Sequence, residues 1–204
     1  MGTYLDKPYT DGYNTIMDNR ANILSQAMAL FAARGYEGVG VQEIVDTAGI
    51  TKPTLYHYFG SKEGLLAALL AEHFDPFLGL LREAARYEGD LPLTMDRVTA
   101  AYFGFARENR AFYRMLLALI YAPPESQALR IASSFAAEPF NILERLFLAA
   151  AKDHGNMKGR HRMYAVTLIG MINNYITLFL NGYIEITEQM RYQAIHQFMH
   201  GIYS

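Results

Sequence analysis

Val41-Gln42-Glu43-Ile44-Val45-Asp46-Thr47-Ala48-Gly49-Ile50-Thr51-Lys52-Pro53-Thr54-Leu55-Tyr56-His57-Tyr58-Phe59 is the stretch on which the reading of this chain turns. Its apolar spacing predicts a short helix near 41–48, a tight turn at Gly49 and a second short helix near 52–59. Gly49 supplies the positive φ that such a turn requires, and Ile50 is placed to plug the angle between the helices. Thr51 is positioned to cap the second helix, and Pro53 falls in its first turn, where a missing N–H costs nothing. Leu55 and Phe59, four residues apart, should face inward with Ile44 and Val45.

What is left facing outward is informative. Lys52, Thr54, Tyr56, His57 and Tyr58 are hydrogen-bond donors or flat aromatic surfaces, and no carboxylate lies between Thr51 and Lys62. A helix N-terminus flanked by lysines suits a phosphate group. Thr54 and His57 have the chemistry to touch base edges in a major groove, whereas Tyr56, Tyr58 and Lys62 suit backbone phosphates. The residues alone leave a second option open, because helix pairs with a glycine turn also occur in proteins that never meet DNA.

Outward from this core the helical period continues. Ile16, Ile23, Leu24, Ala27, Leu30 and Phe31 repeat at three and four, with Thr15 and Asp18 as a capping pair and Gly35 as a left-handed stop. Behind Ser61, a good N-cap, Leu65, Leu66, Leu69 and Leu70 mark a fourth helix. Breaks at 89–92, 123–124, 155–159 and 181–182 then bound helices of roughly 90–110, 110–121, 125–154, 160–181 and 187–201. Thr187 can cap the last, and Pro139 should kink or split the third. No alternating strand pattern, repeat or low-complexity stretch occurs. The expected fold is all-α with about nine helices: an arm over 1–14, a helix-turn-helix unit over 15–74 and a larger helical unit over 75–204.

Composition narrows the class. The 204 residues are 51% hydrophobic and 19% charged, enough apolar content for a sizeable core. No continuous apolar run approaches the ~18 residues of a membrane span. Asp6, Pro8, Asp11 and Gly12 sit where a signal peptide would be apolar. With no cysteine, disulfides and thiol chemistry are excluded. A cytoplasmic protein without membrane association is expected. The net charge is −2, and residues 1–74 carry five basic and eight acidic side chains, a local charge of −3. Any DNA contact must therefore depend on where the few cations sit.

Residues 20–74 resemble the DNA-binding domain of the TetR family of bacterial transcriptional regulators. The likeness runs through Ile23-Leu24, Ala27, Leu30-Phe31, Gly35-Tyr36, Ile44, Ala48-Gly49-Ile50, the run Thr51 to Phe59, and Ser61 to Leu66. It implies that Gln42, Thr51, Lys52, Pro53, Thr54, Tyr56, His57, Tyr58 and Lys62 contact double-stranded DNA, with Lys52 to Tyr58 as the recognition helix. It further implies a homodimer acting as a repressor on a near-palindromic operator and released by a small apolar or aromatic effector. Two positions depart from the family pattern. Gly40 stands where a capping Ser or Thr is usual, and Gln42 where Arg is common, so the cationic density is low.

The larger unit holds nine Tyr, nine Phe and seven Met, which suits an apolar pocket as well as an ordinary core. Pocket candidates are Phe103, Met115, Tyr121, Tyr164, Asn174 and Tyr175. Asn173 and Asn174, adjacent amides in an apolar helix, need partners if buried. Gly170 in mid-helix suggests a close approach by a neighbour. Candidate interface residues are Ala165, Ile169, Ile172, Ile176, Ile195, Phe198, Met199 and Ile202. His196 and His200 stand four apart, but no metal or other cofactor is expected. No nucleophile elbow, P-loop or zinc-hydrolase motif is present, and an enzyme is not expected. The rival class is a helical carrier of small molecules that does not act on DNA.

Overall fold

The computed structural model describes residues 11–201, without the side chains of 11–18. Among them are nine α-helices and no strand. They are α1 (Asp11–Arg34), α2 (Val41–Ala48), α3 (Lys52–Phe59), α4 (Lys62–Ala84), α5 (Leu91–Glu108), α6 (Arg110–Ile120), α7 (Gln127–Ala150), α8 (His161–Leu180) and α9 (Glu188–His200). A 3-10 turn at Gly155–Met157 links α7 to α8.

Local chemistry sets most of these boundaries. Gly35 ends α1 at φ 76° and Gly49 ends α2 at φ 68°, both in the left-handed region. The hydroxyls of Ser61, Ser126 and Thr187 accept from the backbone N–H three residues on, at 3.1 Å each, and open α4, α7 and α9. Asp90 does the same for α5 at 2.9 Å. A Cβ at Gly64 would collide with the carbonyl oxygen of Phe59, so the tight corner between α3 and α4 requires glycine there.

Four expectations are revised. First, α1 begins at Asp11, so Thr15 lies within the helix rather than at its start. Second, Pro139 does not divide α7, which runs unbroken from Gln127 to Ala150. Third, the division expected after residue 74 falls in the middle of α4, and the two units share that helix. Fourth, α4 and α8 are long and apolar enough by composition to span a bilayer, which a search for uninterrupted apolar runs overlooks. Both lie in the bundle, with α7 packed against each of them.

The core is continuous from Ile23 in α1 to Ile195 in α9. Within the small unit, Ile23, Ala27, Phe31, Ile44, Leu55, Leu65 and Leu66 are almost wholly buried. Asn22 Nδ2 donates to the Ala48 carbonyl at 2.8 Å and satisfies the C-terminus of α2. The larger unit is tied across its far side by Arg191 Nε on Asp96 Oδ1 at 2.7 Å, joining α9 to α5.

Candidate nucleic-acid interface and internal cavity

Helix α3 is anchored by Leu55, with Tyr58 and Phe59 packed in part against the core, and is open along its remaining face. Leu55 is fully buried, whereas Lys52, Pro53, Tyr56 and His57 are exposed and Thr54 and Tyr58 are half-buried. Thr51 occupies the N-cap position, but its hydroxyl pairs with the Thr54 hydroxyl at 2.9 Å instead of with the backbone. The first N–H groups of α3 therefore receive no side-chain cap and point outward, available to an anion. His57 and Tyr58 meet edge to face at 5.4 Å. Gln42, exposed at the start of α2, donates to Asp46 Oδ1 at 2.7 Å.

The cations divide sharply. Arg20 pairs with Glu72 at 3.0 Å, and Arg34 is held by Glu43 and by the Gly38 carbonyl. Lys62, expected to face phosphate, is turned inward. Its Nζ donates to the Tyr36 carbonyl at 2.6 Å and lies 4.0 Å from the centre of the Tyr36 ring. Burial lowers the Lys62 pKa from its ordinary 10.5, with Glu37 and Glu63 opposing that shift. Among the described cations of residues 19–74, Lys52 alone forms no ion pair or cation–π contact. Lys62, half-buried, thus braces α4 against the segment after α1.

That brace continues into the larger unit. Tyr36 Oη donates to Gln127 Oε1 at 3.3 Å, and Gln127 Nε2 donates to Glu63 Oε1. Gln127 is the first residue of α7, so one amide joins the start of that helix to both partners of the small unit.

A cavity of about 310 Å³ lies between α4, α5, α6, α7 and α8. Its walls are Phe74 and Phe77 from α4, Tyr102 from α5, Tyr113, Leu116 and Ile120 from α6, Tyr121 just beyond, Ala136, Pro139 and Phe140 from α7, and Val166, Ile169, Gly170 and Asn173 from α8. No charged side chain is among them. Phe77 stacks on Phe105 at 4.5 Å and meets Tyr102 edge-on at 4.9 Å, which stiffens that wall. Gly170 faces open space, with nothing within 4 Å of where its Cβ would be. The expected close helix approach is absent there, and the missing side chain instead widens the cavity. A second hollow, lined by Arg114, Asn174, Thr177 and Asn181 among others, shares the Tyr121 wall.

Of the six pocket candidates only Tyr121 lines the main cavity. Asn174 lines the adjacent hollow, and Tyr164 a third one between α5, α7 and α9. Phe103 and Met115 are buried in the core, and Tyr175 packs edge-on to Phe103. The aromatic positions that do line the space, Phe74, Phe77, Tyr102 and Tyr113, carry no sequence signal that sets them apart from core. Asn173 finds its partner inside the chain, accepting from Tyr113 Oη at 2.8 Å.

The interface candidates are also corrected. Ala165, Ile172, Ile176 and Ile195 are buried within the chain and have no surface to offer a partner. Ile169 and Phe198 are half-buried, Met199 is exposed, and Ile202 lies outside the described residues. The exposed apolar groups of α8 and α9 are Met163, Val166, Leu178, Tyr192 and Met199. His196 and His200 stand with ring centres 4.5 Å apart, and no group of three metal-ligating side chains occurs among the described residues.

Residues 23–69 match the family model for bacterial regulatory proteins of the tetR family. The transcriptional activator FasR of Mycolicibacterium smegmatis is 28% identical over 184 residues, 90% of this chain and 82% of FasR. The transcriptional repressor KstR2 of Rhodococcus jostii is 34% identical over 96 residues, 47% of each chain, so less than half of that relative's length is matched. Two solved structures share the fold across nearly the whole chain. Bacillus subtilis FadR, solved with stearoyl-CoA, gives a TM-score of 0.74 at 19% identity, covering 89% of this chain and 98% of that one. PfmR from Thermus thermophilus, a TetR family regulator, gives 0.71 at 22%, covering 91% and 97%. The matched segment contains α2, α3 and their buried anchors, and the fold around it is shared with the two solved structures. Residues 23–69 therefore carry a TetR-type DNA-binding region, and over nearly its whole length the chain is similar to a transcriptional regulator.

Proposed function

We propose that this regulator places Lys52 to Tyr58 in the major groove of an operator and lets go of, or takes hold of, that DNA according to what fills the cavity between α4 and α8. The observation that carries the reading is α3 itself: a helix with one buried residue, an uncapped N-terminus and an outward row of Lys52, Thr54, Tyr56 and His57. Thr51, Lys52 and Pro53 meet phosphate at the helix mouth, while Thr54 and His57 read base edges. Gln42 and Tyr58 complete the rim. Lys62 contributes by fixing α4, not by touching DNA.

Two copies are needed to read two half-sites about one helical turn, ~34–36 Å, apart. The exposed Met163, Val166, Leu178, Tyr192 and Met199 on α8 and α9 give such a pair its contact surface. The effector is an apolar molecule, and the stearoyl-CoA held by Bacillus subtilis FadR on the same fold supports one with a long acyl chain. Its route to the DNA end is α4, which carries Phe74 and Phe77 in the cavity wall and Lys62 at the small unit. We assign the protein to the cytoplasm and its default action to repression.

Gel-shift titration with the DNA upstream of its own reading frame, at two salt concentrations, tests this. Saturable binding that resists competitor DNA and weakens with salt is expected. Replacing both Lys52 and Tyr56 by Ala should abolish it while sedimentation still reports a dimer. Undiminished binding by that variant would refute the assignment of α3, and no specific binding to any promoter would favour the carrier reading.

A further inference from the structure

The hollow between α6 and α8, about 450 Å³ in volume, differs in chemistry from the main cavity. Arg114, Leu117 and Tyr121 reach it at helical spacing from the side of α6, and Asn174, Leu180 and Asn181 from the side of α8. Arg114 is exposed and forms no ion pair among the described residues. Its Nη1 donates to Asn181 Oδ1 at 3.2 Å and its Nη2 to the Leu180 carbonyl at 2.5 Å, both neutral acceptors. Two of its five N–H groups are thereby used, and the positive charge has no carboxylate beside it in the lining. The bond from Arg114 leaves the Asn181 amide N–H₂ as a donor. The Asn174 side chain, exposed one and two turns earlier on the same helix, makes no hydrogen bond among the described residues. We propose that this hollow binds a monoanionic amphiphile, an ionised carboxylic acid with a short apolar body, and that Arg114 holds its carboxylate. Tyr121 is a wall of both spaces, but the inference does not depend on what fills the main cavity.

Charge and shape select this class. One cation without a neighbouring acid matches one negative charge, and the planar guanidinium presents its N–H groups in the fork that a carboxylate fits. The two bonds to the end of α8 already hold that fork in place, so a ligand pays little to order it. Leu117, Leu180 and the Tyr121 ring supply apolar surface for the body of the molecule. An ammonium head would meet a like charge, and a neutral alcohol would gain the apolar contact without the ion pair. The competing role for Arg114 is purely structural, as a side chain that satisfies the last carbonyls of α8. That role predicts an effect on stability and none on the charge of what binds.

Three probes of equal length separate these cases: octanoate, 1-octanol and octylammonium, each titrated calorimetrically against the full chain at low ionic strength. Octanoate should bind about ten-fold more tightly than the alcohol, the ratio of one charge-assisted contact, and octylammonium most weakly of the three. Because Arg114 is exposed, added salt should narrow the ratio. Arg114→Gln removes the charge and should bring octanoate to the level of the alcohol, whereas Arg114→Lys keeps the charge and should retain part of the preference. Thermal midpoints without probe measure the structural share of the residue and report that both variants are folded. Octanoate binding no better than 1-octanol to the native chain, an unchanged preference for the acid in Arg114→Gln, or binding of none of the three would each overturn the proposal. None of these outcomes touches the main cavity, whose role is read from the response of DNA binding to its own ligand.

Discussion

The start and the middle of α4 sit in opposite surroundings. At its start, Ser61, Lys62 and Glu63 are held by polar contacts to Tyr36 and Gln127, each resolved as an individual bond between named atoms. Further along, Phe74 and Phe77 lie in an aromatic wall where shape, not bonding, decides what fits. A polar bond of fixed geometry is either made or broken, whereas an apolar wall yields gradually to whatever fills it. A single helix joining the two, interrupted in its hydrogen bonding by Pro76 between Phe74 and Phe77, can convert a change in filling there into the making or breaking of discrete bonds at its start. The small unit is therefore expected to respond to single-residue changes abruptly and the cavity rim to absorb them.

The sharpest test of that contrast pairs a buried anchor with a rim residue. Leu55→Ala should lower stability by about 2–5 kcal/mol, the range for a fully enclosed leucine, and should take DNA binding with it. Tyr121→Ala, at a position 72% exposed, should change stability by no more than about 0.5 kcal/mol. Chemical denaturation of both variants decides the matter. Similar losses at both sites would mean that the rim is as rigid as the anchor.

The next comparison sets one lysine against another. Lys52→Ala should weaken DNA binding and reduce the slope of log affinity against log salt by about 0.9 for each phosphate that is no longer neutralised. Lys62→Met, by contrast, should leave that slope unchanged and act on melting temperature, because the ammonium is held by Tyr36. A salt slope reduced by Lys62→Met would return that lysine to the DNA surface.

Sequence reading succeeds in this chain where the cause is local. Helices α2 and α3 coincide with the ranges expected for them because Gly40, Gly49, Pro53 and Gly60 punctuate the chain at the very residues that end or start each helix. Lys62 shows where that reasoning stops: its sequence position beside the recognition helix suggests phosphate, but Tyr36, 26 residues earlier, claims it. The cavity is out of reach for the same reason. Its walls come from five helices, and whether Phe77 or Tyr102 faces a void or a neighbour depends on how those helices rotate against one another. Gly170 is the available clue, a flexible residue in a helix interior, and it marks space for a ligand, not a close helix contact.

A smaller effect is expected where the two regions are bridged. Gln127→Ala removes the amide that accepts from Tyr36 and donates to Glu63, at a cost of about 1 kcal/mol in stability. Its more telling consequence is functional. The ratio of DNA affinities measured with and without stearoyl-CoA should shrink toward one, since the Gln127 side chain would no longer tie the start of α7 to the small unit. An unchanged ratio would leave α4 and the packing of α1 on α6 as the carriers of the signal.

The mildest expected effect lies at His73, midway along α4, where the ring stacks on Phe112 of α6 at 4.4 Å. Burial lowers its pKa below the ordinary 6.5, although Glu72 and the Asn109 side chain favour the charged form. The sign of the pH dependence follows. Above 6.5 the imidazole is neutral in both folded and unfolded chains and contributes nothing to the difference. As the pH falls through 6.5 the unfolded chain takes up the proton first, so stability declines, and the decline ends once the pH is below the folded-state value. His73→Phe keeps a ring to stack on Phe112 and has no proton to gain. Its thermal midpoint, followed from pH 8 to pH 5, should fall less than that of the native chain, with the two curves separating only below about 6.5. Parallel curves across that range would mean that the stacked ring is open enough to water to titrate as it does in the unfolded chain, and that the middle of α4 is less tightly enclosed than its start.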